Sequence, residues 1–131
     1  MVKKKRSFQE VTEVAEPLTV EEATSAHGIR ACLEEIKSYD GVVGYILRNS
    51  TSAAIDLKDP TKIIDYAILS SSAIDASKEL SELFNLGEVK NIVIEGKEIK
   101  VLSLTIDENK ISIFLEKGAD YETIVKKLYA L

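Results

Sequence analysis

Three observations in this sequence predict an α+β fold built on one antiparallel sheet. Five short stretches are rich in β-branched and aromatic residues. Three of the connections between them are too brief for a crossover helix. Three further stretches carry apolar residues at helical spacing behind helix-start residues. The order is α-β-β-α-β-β-β-α, and the natural packing is a five-stranded sheet with helices on both faces.

Each element has its own local cause. "TVEE" offers a capping box, with Thr19 as the cap and Glu22 reaching back to it. Behind it Ala26, Ile29, Cys32, Leu33 and Ile36 share one face, predicting helix α1 over 20–38. "VVGYILR" (42–48) and "SAAIDL" (52–57) read as strands β1 and β2, joined by the polar turn "NSTS". Asp59 is placed to cap and Pro60 to begin helix α2, expected over 60–86, with Gly87 as its left-handed terminator. Strand β3 is expected over 88–95, followed by a tight turn at Gly96-Lys97. Strand β4 is expected over 98–106 and, after "DENK", β5 over 111–116. Asp120 then caps helix α3, whose apolar face is Tyr121, Ile124, Val125, Leu128 and Tyr129. Residues 1–18 lack a sustained period and read as a basic, disordered tail before a single domain at 19–131.

Composition narrows the function classes. The chain has 131 residues, 45% of them hydrophobic, enough for a real core. No apolar run approaches the roughly 18 residues of a membrane span. "MVKKKRSFQE" lacks the apolar stretch of a secretory signal. The single cysteine, Cys32, rules out a disulfide framework within the chain and, with no signal, predicts a cytoplasmic protein. The run Lys3 to Arg6 carries four positive charges against a net −5, leaving −9 on the rest. Such an acidic body argues against nucleic acid as a partner, and the tail is not expected to contact membrane. Gln, Cys and Met occur once each beside abundant Lys, Glu and Ile, which leans toward a thermophilic source.

Catalytic constellations are missing from the pattern. His27 is the only histidine, and on α1 it projects about 160° from Ile29, onto the solvent face. Cys32 lies on the apolar face and reads as a buried thiol rather than a nucleophile. No metal set, cofactor loop or nucleophile elbow is evident: "GVVGYILR" lacks the Gly-Lys-Ser of a phosphate loop. The expectation is a non-enzyme without a cofactor.

The informative element is "IIDYAILSSSAIDASKEL" in α2. With Ile63 set at 0° and about 100° per residue, one stripe holds Tyr66, Leu69, Ser70, Ala73, Ala76, Ser77, Leu80, Leu83 and Phe84. It should face the sheet, and its small members let the helix lie close. Ile64 and Ile68 fall on the opposite side, continued by Ser71, Ser72 and Asp75. Such a stripe predicts a partner helix, two copies of α2 pairing closely and antiparallel. If β3, β4 and β5 form a meander with the β1–β2 hairpin beside β5, then β2 and β3 are the edges. Strand β3 is regular, with Lys90 as its sole positive charge, and invites edge pairing. The candidate interface residues are Ile64, Ile68, Ser71, Ser72, Asp75, Val89, Asn91 and Val93.

The order and lengths of these elements resemble the dynein light-chain roadblock family. The resemblance spans about residues 20–131. It rests on "GVVGYILRN", on "TKIIDYAILSSSAIDASKELSELFNLGEVKNIVIE" and on "KISIFLEKGADYETIVKKL". The family's β1–β2 turn usually reads Asp-x-x-Gly, where this chain has "NSTS". The resemblance implies a profilin-like sheet of order 2-1-5-4-3 and a homodimer through β3 and the long helix. It also implies adaptor or regulator function toward a Ras-like small GTPase. A structural scaffold for motor or membrane-associated complexes, without GTPase contact, is the alternative. A small-molecule sensor would need a pocket with convergent polar groups, and the sequence shows none.

Overall fold

The computed structural model of the protein describes residues 20–131, with side chains from residue 28 onward. The tail, the Thr19 cap and the side chains of Ala26 and His27 lie outside the described residues. The elements are α1 (Val20–Lys37), β1 (Val42–Arg48), β2 (Ala53–Leu57), α2 (Ile63–Phe84), β3 (Asn91–Glu95), β4 (Ile99–Ile106), β5 (Asn109–Glu116) and α3 (Glu122–Tyr129). They form one antiparallel sheet in the order β2-β1-β5-β4-β3, so β2 and β3 are its edges.

The period-2 alternation of β4 and β5 separates two cores. Leu102, Leu104, Ile111, Ile113 and Leu115 point to one face, where α1 and α3 cover them with Ile29, Leu33, Ile36, Ile124 and Leu128. Val101 and Phe114 point to the other, where α2 covers them with Tyr66, Ala67 and Leu69. On the first face, Tyr45 Oη donates to the Glu34 carboxylate, and Lys37 Nζ pairs with Asp56 at 2.7 Å. Both tie α1 to the β1–β2 hairpin, though a half-exposed ion pair such as Lys37–Asp56 contributes only about 0–1 kcal/mol.

Several boundaries differ from those the sequence predicts. The β1–β2 turn runs to Ser52, because Asn49 organises it: its Oδ1 accepts from the backbone N–H of Thr51 at 2.9 Å and of Ser52 at 3.0 Å. An Asx turn of this kind replaces the glycine that such hairpins commonly need. Asp59 does cap, accepting from Thr61 N at 3.1 Å, but Pro60–Lys62 form a 3-10 turn before α2 proper. At the other end the helix stops at Phe84, because Asn85 takes the left-handed conformation at φ 53°. Asparagine tolerates that region. Gly87, at φ 77°, makes a second left-handed step rather than the first. The chain 88–90 is therefore still turning, and β3 begins only at Asn91. The β3–β4 turn spans Gly96–Glu98, with Gly96 N donating to Ile99 O at 2.8 Å. Asp107 at φ 54° tightens the next hairpin, so β5 starts at Asn109. The cap position of α3 is Tyr121 rather than Asp120; Asp120, one residue earlier, still accepts from Glu122 N at 2.9 Å.

Gly44 is a close-approach position. It sits at a bulge in β1, and a Cβ there would meet Asp56 O at 2.3 Å and Leu57 Cα at 2.7 Å. Only glycine lets β2 lie this near.

Candidate interaction surfaces

The placement of α2 decides which of its residues can meet a partner. Three buried serines fix it. Ser70 Oγ lies 2.6 Å from Ser112 Oγ on β5, and Ser112 Oγ lies 2.7 Å from Ser103 Oγ on β4. Four residues earlier, Tyr66 stacks on Phe114 with ring centroids 4.5 Å apart. The helix thus runs antiparallel to β5, along the strands rather than across them. Small residues are required here: Ser70 and Ala73 are both buried under the helix axis.

Ser70 marks the sheet-facing direction, and one residue turns the helix by about 100°. Ser71 therefore lies on one flank, where Arg48 Nη2 of β1 donates to its Oγ at 3.2 Å. Leu69 lies on the opposite flank, lining a shallow groove with Ile94 of β3 and Ile99 of β4. One flank of α2 looks over β1 and the other over the β3 edge. Ile68 points almost straight away from the sheet and Ile64 outward on the β1 side. They are 62% and 73% exposed, as their spacing predicts.

The eight predicted interface residues fall into two groups. Ile64, Ile68, Ser72 and Asp75 are exposed on the outward face of α2, with Ser71 half-buried beside Arg48. Val89, Asn91 and Val93 lie at the β3 side, beyond the other flank. Val89 is in the connection before the strand. Val93 packs against the α1–α3 core rather than facing α2. The structure does not bring the two groups into one continuous patch.

What the sequence pattern misplaces is the end of α2. Leu80, Leu83 and Phe84 belong by angle to the sheet-facing stripe, yet all are exposed, Leu83 by 69% and Phe84 by 67%. The reason is length. Ser70 already sits over the middle of β5, and the sheet ends at the Asp107–Glu108 hairpin. The final turns of α2 overhang it. Leu86 and, on the edge strand, Ile94 are exposed too. The stripe also omits Ile74, which is buried on the sheet side. Counting the helix against the strands under it (about 1.5 Å per residue against about 3.3 Å) exposes the overhang, but only once the register is known.

Charges are distributed unevenly. Lys110 of β5 is in register with Arg48 of β1. Its ammonium is held below its ordinary range chiefly by the charge of Lys78 on α2, then by burial and by Arg48, while Asp75 acts in the opposite sense. Cys32 is buried under α1 as expected, and burial pushes its thiol up. Among the described residues no group of His, Cys, Asp and Glu could hold a metal ion, and no helix is long and apolar enough to cross a membrane.

Comparison with solved structures decides the fold type. A Roadblock/LC7 domain from Streptomyces avermitilis superposes with a TM-score of 0.61 at 13% identity, covering 77% of this chain and 85% of that one. The chain has the roadblock fold. MglC from Myxococcus xanthus matches with a TM-score of 0.55 at 14% identity, over 78% of this chain and 91% of the other. No protein-family model and no curated protein matches the sequence. The roadblock fold thus persists here at an identity where the residues of the surfaces are this chain's own. Those surfaces are the bare β3 edge, the overhanging end of α2 and its outward isoleucines.

Proposed function

We propose that the protein is a homodimeric adaptor or regulator that binds a Ras-like small GTPase. The observation that carries this reading is the concentration of exposed large apolar residues on α2 and beside the β3 edge: Ile64, Ile68, Leu80, Leu83, Phe84, Leu86 and Ile94. Large exposed apolar side chains gathered on one helix and the adjoining sheet edge point to interaction surfaces. The roadblock fold and the sequence resemblance supply the partner class.

Two copies pair through their β3 edges, bringing together the strands that carry Asn91 and Val93, with Val89 at the entry. The β3-side flanks of the two α2 helices, with Leu80 and Leu83, cover the junction. The outward face, with Ile64, Ile68, Ser71, Ser72 and Asp75, is left for the GTPase. Arg48 is held by Ser71, and neither it nor Arg30 stands on a glycine-rich loop. Any effect on GTP hydrolysis therefore works by positioning the GTPase's own switch segments rather than by an inserted arginine.

Two measurements test the reading. Sedimentation at micromolar concentration should give a dimer, and Leu83→Glu should shift it to monomer; a monomeric wild type would sink the dimer. Titration with the small GTPases of the source organism should give binding or altered turnover by at least one. Binding by none, with partners recovered that are not GTPases, would favour the scaffold reading.

A further inference from the structure

Beside the outward isoleucines of α2 the molecule gathers three cations. Arg48 and Lys110 are cross-strand neighbours on the sheet face that α2 covers. Lys78, seven residues after Ser71, overlooks them from the same flank of the helix, since seven residues are close to two full turns. No carboxylate lies within 4 Å of any of the three basic groups among the described residues. Asp75 and, four residues after Lys78, Glu82 share this flank and offset part of the charge, yet neither pairs directly with any of the three basic groups. Like charges held this close repel, and the depressed ammonium of Lys110 reports that repulsion. A ligand carrying negative charge would relieve it.

The surroundings select the kind of ligand. Ile68 lies ten residues before Lys78, roughly 15 Å along the helix. A polyphosphate or nucleic acid could use the cations but would leave the isoleucines in water, and the acidic body repels an extended polyanion. We propose that this face takes an acidic segment of a partner protein, one that sets an aliphatic side chain on Ile64 and Ile68 and one or two carboxylates among Arg48, Lys78 and Lys110. Ser71, which orients Arg48, joins the two halves. The inference rests on the reading that the outward face of α2 docks a partner, but not on that partner being a GTPase.

A displayed random-peptide library panned against the full-length protein tests it. Enriched peptides should pair aliphatic residues with Asp or Glu, and their binding should weaken about tenfold or more with Lys78→Glu or Ile68→Ser, and markedly from 0.1 to 0.5 M salt. Lys78 and Ile68 are both exposed, so these variants keep the fold, which circular dichroism checks. Enrichment of peptides without carboxylates, failure to enrich any peptide, or tighter binding of inorganic polyphosphate than of the best peptide would overturn the proposal. The same variants titrated with a binding GTPase separate the two claims. If a GTPase binds with affinity unchanged by Lys78→Glu, the acidic-segment inference fails and the GTPase reading stands. If acidic peptides bind and no GTPase does, the reverse holds.

Discussion

The two faces of the sheet are built on different terms. The face under α1 and α3 is filled by large side chains, with Leu33, Leu102, Ile111, Ile113, Leu115 and Leu128 almost wholly buried. The face under α2 has a smaller apolar cluster, Ile46, Leu57, Val101 and Phe114 under Tyr66 and Leu69, and beside it the small residues Ser70, Ala73, Ser103 and Ser112. The first face holds most of the apolar contact and therefore most of the stability. The second trades bulk for closeness, which lets one long helix lie flat on the strands while still presenting two flanks and an outward surface. A fold can thus concentrate its stability on one side and its contacts on the other, and substitutions should separate the two.

The largest effect should come from the thick face. Ile113→Ala should lower the stability to urea unfolding by about 3–4 kcal/mol, as for other large-to-small changes at fully buried sites. Leu83→Ser on the other side should change monomer stability by less than about 0.5 kcal/mol. Equal losses would erase the distinction between the faces. Gly44→Ala should follow, at about 2 kcal/mol, because the added carbon has backbone rather than flexible side chain to displace. Thermal unfolding reads this directly. Ser112→Ala removes the hub that accepts or donates in both serine contacts, and should cost about 1–2 kcal/mol. A variant as stable as wild type would mean that the serines serve only as small residues.

The smallest effect is a pH dependence at the start of α2. Hydrogen bonds from the Thr61 hydroxyl and backbone hold the Asp59 carboxyl below its ordinary range. A group depressed in the folded state contributes fully above its unfolded value, near 4, and loses that contribution as pH falls through the folded one. Asp59→Asn should therefore flatten the acid limb of the stability profile slightly, with a small loss at neutral pH that vanishes in acid, where the native carboxyl is itself protonated.

Legibility followed the range of the interaction. Asp59 was readable as a cap, and Asp120 as an acceptor at the start of α3, because such bonds act on residues two or three positions away. The β1–β2 turn was readable as a turn, although Asn49, rather than a glycine, holds it. Ile64 and Ile68 were readable as exposed because they lie opposite a stripe of nine residues. The strand start at Asn91 was less accessible, since "EVKNIVIE" alternates throughout and only the left-handed Asn85 and Gly87 delay its pairing. The exposure of Leu83 and Phe84 was hidden for a similar reason. Periodicity gives the direction of a side chain but not whether anything lies beneath it.

The sequence by itself determined the element order, the small-residue helix and its outward isoleucines, all of them consequences of local spacing and turn chemistry; that β2 and β3 are the sheet edges depended on where the β1–β2 hairpin docks, which is a tertiary fact. The tertiary structure decided how far α2 runs past the sheet, which flank meets β3, and that Arg48, Lys78 and Lys110 share one corner. Those three cations come from three elements separated by dozens of residues. Only the register of β1 on β5, and of α2 on both, brings them together.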